Sequence, residues 1–448
     1  MGVKLIVVCA LALVMSIPAF FVEGLVEDRT RRADDVVREV SGRVGGQQSF
    51  LGPTLAIPYT VSDQSPTDAP RHGIYLVFPA QASGTVKTIT EERRRSLFKV
   101  PVFLANLKFD AAFDLSGVPA ATPLGAQLDW NRAEVVVGVT DARGALADAT
   151  ITANGKTLTL APAAIADGMS IGSDQSQHVR LVLFGTSVAT IAKPDAQFQV
   201  SSSLRFSGAQ RIAVLAYGKT THLSIEGDWP SPGFDGGYLP ISRSVSKQGF
   251  TAQWSVPFIA RGVRAESTAD SLTGLDGTSL GVSFIEVADP YQSVNRALKY
   301  LPLFLGLVFL SYFLFEVTTG KRVHPAQYVL VGIAQIIFYL LLLSLSERLG
   351  FDLGFLLAGA ATVLLLSANA RWVFSSRAQA FGAFALFTLL YSLIYLLLRL
   401  EDNALLVGAI ASFMAVAAAM YFTRSIHWYC SISAPGRHSA SDSPANPA

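Results

Sequence analysis

The placement of apolar residues constrains this chain more than any other feature. They gather in the first 22 residues and in a block from about Tyr300 to Phe422, while the stretch between reads as ordinary globular protein. A helix needs about 20 mostly apolar residues to cross the hydrocarbon core. Leu5 to Val22 is such a run, preceded by Lys4. A cleavable signal peptide is the competing reading. Pro18-Ala19-Phe20-Phe21 stands where the small-x-small cleavage pattern would be, so the run is expected to be an uncleaved anchor. Cys9 follows Val8 and too little apolar sequence, which speaks against lipidation.

Five further spans are predicted at roughly Tyr300–Val317, Tyr328–Ser346, Phe351–Ser367, Ala378–Leu398 and Ala404–Phe422, joined by short charged connections. Basic residues stay cytoplasmic. With the N-terminus inside, the inner segments hold Lys4, Lys321, Arg322, Arg371, Arg377, Arg424 and Arg437, and the short outer loops hold only Arg348 and Arg399. The expected organisation is an N-terminal membrane anchor over 1–22, a helical extension over 23–49, a periplasmic β-rich domain over 50–299, a five-helix membrane bundle over 300–422 and a disordered cytoplasmic tail over 423–448. Both termini would then be cytoplasmic.

The extension is read as helix because Leu25, Ala33, Val36, Val37 and Val40 recur at helical spacing, with Glu27–Arg31, Asp28–Arg32 and Asp34–Arg38 as i,i+4 pairs. Gly42 and Gly45-Gly46 would end it. From Phe50 on, the signal is strand. Ile74–Phe78, Val135–Val139, Val179–Phe184 and Gln197–Phe206 are β-branched or aromatic runs bounded by turn residues. Asn154-Gly155 between Thr150–Ala153 and Lys156–Leu160 is a tight hairpin signal. Two more strands are expected over Ala209–Glu226, turning at Tyr217-Gly218-Lys219. The sum is a large, mostly antiparallel, sandwich-like domain.

Charge excludes one function class. From Glu23 to Lys299 there are 26 Lys+Arg against 27 Asp+Glu, so no concentrated basic field exists to attract nucleic acid. The two cysteines, Cys9 and Cys430, leave the β-rich region with no disulfide. The six His show no metal-ligand spacing, and neither Gly-x-Ser-x-Gly nor His-Glu-x-x-His occurs. No catalytic residue, cofactor or metal is therefore expected. Tyr217-Gly218-Lys219-Thr220 resembles the end of a phosphate-binding loop, but Ala213 replaces the required earlier glycine. Asp34-Asp35 and Asp110/Asp114 read as solvated surface, and Trp229-Pro230-Ser231-Pro232 as a buried corner rather than a ligand groove.

Polar groups in the membrane are expensive and hence informative. Gln335 and Tyr339 share one helix face, with Ser346 two turns beyond. Glu316 is placed at the inner end of one span and Glu347 at the outer end of the next. A transport path or proton relay would use such residues; helix–helix hydrogen bonding is the plainer reading. Gly408, Ser412, Ala415 and Ala419 form a small-residue stripe in the last span.

The chain also resembles the inner-membrane CreD family, known as the cell-envelope integrity or colicin-tolerance family. The resemblance rests on Gln48-x-x-x-Gly52-Pro53-x-Leu55-x-Ile57-Pro58-Tyr59, on Arg94-Arg95-Ser96-Leu97-Phe98-Lys99-Val100-Pro101-Val102-Phe103 and on Gly249-Phe250-Thr251-Ala252-Gln253-Trp254. It rests most on Asp289-Pro290-Tyr291-Gln292-Ser293-Val294-Asn295-Arg296-Ala297-Leu298-Lys299-Tyr300. Phe313-Leu314-Phe315-Glu316, His324-Pro325-x-Gln327-Tyr328 and the run from Phe338 to Glu347 continue it. Val287-Ala288-Asp289-Pro290 stands where the family usually has Pro-Val-Asp, and the tail matches nothing. The resemblance implies a membrane protein of the envelope-stress response, linked to tolerance of colicins and β-lactams, with no established reaction.

Tyr291, Gln292, Arg296 and Lys299 fall just outside the second span, where aromatic and basic groups favour the headgroup level. They are the expected coupling of β domain to bundle. His324, Gln327 and Tyr328 fall at the inner surface. The preferred expectation is a non-enzymatic envelope-maintenance protein in the bilayer, whose β domain binds an envelope component or partner protein. The alternatives are a transporter or flippase lined by Gln335, Tyr339 and Glu316, and an envelope hydrolase with a non-local site. Oligomeric state is not legible.

Overall fold

The computed structural model describes residues 2–61, 70–95, 98–118, 122, 126–164, 169–171, 179–269, 274–284, 290–319, 323–374, 377–400 and 404–424. Ser96, Leu97, Gly168, Asp289, Lys321, Arg322, Cys430 and the tail from Ser431 lie outside them. The chain divides into two compact units, Met1–Thr30 with Ala288–Ala448, and Arg31–Val287.

The helices are α1 (Gly2–Met15), α2 (Ile17–Arg43), a single turn α3 (Phe258–Arg261), α4 (Pro290–Lys299), α5 (Leu301–Thr319), α6 (Pro325–Leu349), α7 (Phe351–Phe374), α8 (Arg377–Arg399) and α9 (Ala404–Thr423). The strands are β1 (Gln48–Val61), β2 (Arg71–Val77), β3 (Gln81–Arg95), β4 (Phe98–Asp114), β5 (Ala126–Leu128), β6 (Glu134–Val139), β7 (Thr150–Ala153), β8 (Lys156–Thr159), β9 (Ala161–Pro162), β10 (Met169–Ile171), β11 (Val179–Ser187), β12 (Gln197–Ala209), β13 (Arg211–Leu215), β14 (Thr220–Gly227), β15 (Pro232–Gly236), β16 (Ser242–Ser246), β17 (Gly249–Val256), β18 (Glu266–Thr268) and β19 (Ser279–Phe284).

The unit Arg31–Val287 is a two-sheet stack. One sheet runs β10-β11-β6-β1-β13-β19-β15, with β2, β5, β9 and β18 paired alongside. The other runs β16-β17-β14-β3-β4-β12-β7-β8. The described pairings are antiparallel except β1 with β13 and β14 with β3. β3 shows why the second sheet is one-sided. Gln81, Ser83, Thr85 and Lys87 are exposed while Ala82, Gly84, Val86 and Thr88 are buried, the period-two signature of a sheet with one wet face. β1 instead is mostly apolar from Phe50 to Ile57, where every position is buried, so both of its faces are covered. The two inner faces share one core. Phe50 on β1 meets Phe206 on β12 edge-on at 5.3 Å, and Phe103 on β4 meets Phe284 on β19 at 5.2 Å. Such a ring, fully buried, contributes about 1.5–3 kcal/mol.

The Asn154-Gly155 hairpin forms, with both residues at positive φ (48° and 79°), the geometry a two-residue type I′ turn requires. The strands on either side of Tyr217-Gly218-Lys219 also form, but not as neighbours. β13 joins the first sheet and β14 the second, so this segment is a crossover rather than a turn. Tyr217 fills the crossover. It is fully buried, and its hydroxyl donates to the carbonyls of Ser83 (2.7 Å) and Asp110 (3.1 Å). Burial, reinforced by Asp110, pushes this phenol well above its ordinary range. The sequence reading missed the crossover because strand propensity does not say which sheet a strand enters.

α2 ends as Gly42 and Gly45-Gly46 suggest. Gly45 and Gly46 adopt positive φ (94° and 61°), and the Gly46 amide closes back on Ser41 O at 2.7 Å. Val36, Val37 and Val40 pack on Val44, Val100, Val102 and Ala209. One expected ion pair is replaced: Arg38 bonds Asp35, three residues back, at 2.6 Å, rather than Asp34.

The other unit is helical. Among the described residues four helices are long and apolar enough to cross a membrane, Ile6–Arg43, Pro325–Leu349, Phe351–Phe374 and Arg377–Arg399. A fifth is added if Tyr291–Lys299 and Leu301–Val317, bent by 53°, count as one span. The bend follows from Pro302, which cannot donate to the carbonyl of Leu298 and clashes with it. The last predicted span is also helical, as α9, without a charged residue. The residues before the second span, read from sequence only as surface anchors, form the separate helix α4. Leu330, Leu356, Leu364, Phe381 and Leu389 point outward, as a lipid-facing surface demands.

Candidate functional site

Three polar clusters lie along α6. His324 caps its start, its Nδ1 accepting from the Ala326 amide at 3.2 Å, and Pro325 occupies the first turn, where a missing N–H costs nothing. Gly350, at φ 82°, ends it. Tyr328, Gln335, Tyr339 and Ser346 are spaced by seven, four and seven residues, so they fall on one face, and each is at most 2% exposed.

At the C-terminal end of α6, the Glu347 side chain is 9% exposed. Its Oε1 accepts from Tyr291 OH at 3.0 Å and lies 3.9 Å from Arg29 Nε. Arg29 belongs to α2 and Tyr291 to α4, the two helices through which the chain enters and leaves this unit. Tyr291 reaches inward because α4 is amphipathic, with Tyr291, Val294, Ala297 and Leu298 buried. Gln292 and Lys299 lie on its exposed face, and Arg296 is half-buried. Of the four expected coupling residues, the structure therefore brings one onto the carboxylate expected at the outer end of the span.

In the middle of α6, Gln335 Oε1 accepts from Tyr391 OH of α8 at 3.2 Å. The Thr362 hydroxyl of α7 donates within its own helix, to Ala358 O at 2.8 Å. Gln335 Nε2 and Tyr339 OH, both buried, have no hydrogen-bond partner among the described residues. Near the start of α6, Tyr328 OH donates to Glu316 Oε2 of α5 at 3.1 Å, and Glu316 is 4% exposed. Tyr312 beside it donates to Leu366 O at 3.0 Å.

Tyr328 and Glu347 are nineteen positions apart, which at about 1.5 Å per residue puts the two carboxylates' contact points about 28 Å apart, close to the thickness of a hydrocarbon core. Gln335 and Tyr339 come together, while Glu316 sits with Tyr328 in a separate cluster. His324 is exposed and acts as a cap. A cavity of about 20 Å³ in this unit, lined from Leu303, Phe304 and Leu307 to Gly408 and Ser412, includes none of these polar groups.

The β unit carries a larger depression of about 670 Å³ on the wet face of the second sheet, reaching from His222 to Thr152 and Asn154. Among the described residues no group of three His, Cys, Asp or Glu is placed to hold a metal ion. The motif residues of this unit hold the scaffold. Gln48, fully buried, donates from Nε2 to Gly45 O and Asp141 O at 2.8 Å each and accepts from Thr140 at 3.1 Å. Arg95 pairs with Glu39 of α2, and its hydrogen bond holds that carboxyl below its ordinary value. Trp254 Nε1 donates to Tyr238 O at 3.0 Å. Trp229 is half-buried against Phe284.

One residue that sequence reasoning passed over is Arg261, on the single turn α3. It is 2% exposed, stacks 4.1 Å above the Phe78 ring and donates from Nε to Ala216 O at 2.8 Å. Burial lowers its pKa to about 10. Nothing in Phe-Ile-Ala-Arg-Gly distinguishes it from a surface arginine.

An apolar N-terminal helix, a large mixed β unit and a bundle of apolar helices define a multi-pass membrane protein with a folded extramembrane domain. The family model described as "Inner membrane protein CreD" matches residues 1–429. The chain is 28% identical over 428 residues to Inner membrane protein CreD of Escherichia coli (strain K12), covering 93% of this chain and 91% of that protein. The chain belongs to the CreD family of inner membrane proteins.

Proposed function

We propose that this protein maintains the cell envelope without catalysing a reaction. Its β unit lies in the periplasm and binds an envelope component, both termini lie in the cytoplasm, and the bundle anchors the bound state in the membrane. Tolerance of β-lactams and colicins is the cellular outcome. One observation supports the reading above the rest. Both helices that lead out of the membrane unit are held at Glu347, by Arg29 and Tyr291, so a load on the β unit would converge on one carboxylate. The family membership and the positive-inside bias support the placement.

The test is complementation in cells lacking the protein. The wild-type chain should restore β-lactam tolerance. Glu347→Gln, at equal membrane abundance, should not. Full restoration by Glu347→Gln would remove the coupling from the account.

A transport reading has one observation in its favour, the buried Gln335 Nε2 and Tyr339 OH with no partner among the described residues. It requires that Gln335→Leu with Tyr339→Phe abolish complementation while the protein stays folded. Retained complementation assigns these groups to helix packing.

A further inference from the structure

The depression on the second sheet has an order that the strand registers make explicit. His222, Ser83, Asp110, Ser201 and Thr152 stand directly opposite one another on β14, β3, β4, β12 and β7. They form one transverse row on the wet face. The next row holds Thr220, Gln81, Ala112 and Gln199, and Asn154 at the β7–β8 turn closes its end. Five strands at about 4.8 Å spacing make a trough about 19 Å long. Its floor is low because Ser83, Ala112 and Ser201 are small, and Gln81, Gln199, His222 and Asn154 rise around it. The floor is fixed from below, since the carbonyls of Ser83 and Asp110 both accept from the buried Tyr217 hydroxyl.

The lining chooses among ligands. Its polar side chains are hydroxyls, side-chain amides, one imidazole and one carboxylate, with no Lys or Arg, and Ala82, Ala111, Ala112, Phe198 and Val200 complete it. Lys108 stands at 3.9 Å from Asp110 and is paired with it. A phosphate or carboxylate ligand would meet Asp110 without a cation of its own. An apolar ligand would strip these groups of water and return nothing. An extended peptide adds to a sheet edge, where backbone groups are open, whereas this trough crosses strands that are already paired. A linear ligand rich in neutral hydroxyl and amide groups satisfies the polar lining side chains, and its C–H faces can rest on the small apolar ones such as Ala112.

We propose that this trough is the binding site for an uncharged oligosaccharide lying across the strands, with Asp110, Gln199 and Gln81 as the principal hydrogen-bonding side chains. The inference rests on the reading that the β unit binds an envelope component, and it names the chemical class. The experiment is titration of the full chain in lipid nanodiscs with N-acetylated chito-oligosaccharides and, separately, with unacetylated cello-oligosaccharides of equal length, read by calorimetry. Saturable binding is expected, weakened about tenfold by Asp110→Asn or Gln199→Ala and abolished by Ser201→Trp, which fills the trough from its half-buried floor. Preference for the acetylated series assigns the amide side chains to acetamido groups, and equal binding assigns recognition to hydroxyls alone. Failure to bind either series, while the same nanodiscs still retain isolated envelope fragments, overturns the trough and leaves the broader reading standing. Failure to retain either overturns both.

Discussion

The Tyr291 hydroxyl donates to Glu347 Oε1 at 3.0 Å, joining the short helix before the bundle to the far end of α6. A hydrogen bond to a carboxylate at 9% exposure contributes about 1.5–3 kcal/mol. Tyr291→Phe keeps the ring and removes only that bond. Amide hydrogen exchange over 290–299 should quicken at least tenfold, with the β unit unchanged. Unchanged protection in α4 would show that its apolar face alone holds it.

Gly52 lies where β1 shifts register between Leu51 and Thr54, and a Cβ there would come within 2.6 Å of the Tyr217 ring. The ring cannot retreat, because its hydroxyl is fixed by two carbonyls. Gly52→Ala is therefore expected to destabilise the β unit by about 1–3 kcal/mol, the usual cost of overpacking. Tyr217→Phe, which only releases the two bonds, should cost about 1–2 kcal/mol. Thermal melts of the two variants check both values. A neutral Gly52→Ala would mean that the crossover can move.

Gly354 in α7 faces Ser346 across the Gly350 turn. A Cβ at that position would lie 2.7 Å from Ser346 Oγ and 2.8 Å from its backbone nitrogen. Backbone cannot rotate away as a side chain can, so Gly354→Ala should loosen the α6–α7 hairpin at a cost of about 1–3 kcal/mol. Lower resistance to denaturing detergent is the readout, with Gly382→Ala, whose nearest neighbour lies 3.9 Å away, as the tolerated control.

The Asp141 carboxyl is held below its ordinary value of 3.8, first by the Arg143 side chain and then by its amide. A depressed folded pKa gives stability that is present above the unfolded value and lost as pH falls through the folded one. The β unit should therefore lose stability on acidification below about pH 4, and Asp141→Asn should flatten that loss while lowering stability at neutral pH. An unchanged acid limb would place the loss at other carboxylates, such as Glu39 and Asp114, which are also depressed.

Much of this architecture is legible in the sequence, for physical reasons that differ by region. Apolar runs report membrane helices directly, because the bilayer demands length and hydropathy together. Asn154-Gly155 reports its hairpin because few other residue pairs adopt two positive φ values. The crossover at Tyr217 is not legible, since β13 and β14 carry the same local signal whether they pair or part. Helix α4 is legible in hindsight through Tyr291, Val294 and Leu298, but ten residues give too short a period to separate from a loop. The polar stripe of α6 can be read from its spacing. Its pairings with Tyr391 and Glu316 cannot, because these come from other helices. The trough depends on cross-strand register, which no single strand encodes.

Sidedness of the membrane tests the central claim most directly. In chains lacking Cys9 and Cys430, a cysteine is placed at the exposed hairpin residue, Lys156→Cys, or at the start of α8, Arg377→Cys. Intact spheroplasts are then treated with a membrane-impermeant maleimide. The account predicts that the cysteine at 156 is labelled at once and that the one at 377 is labelled only after the membrane is opened. Labelling in the reverse order would put the β unit in the cytoplasm and contradict a role in binding the envelope.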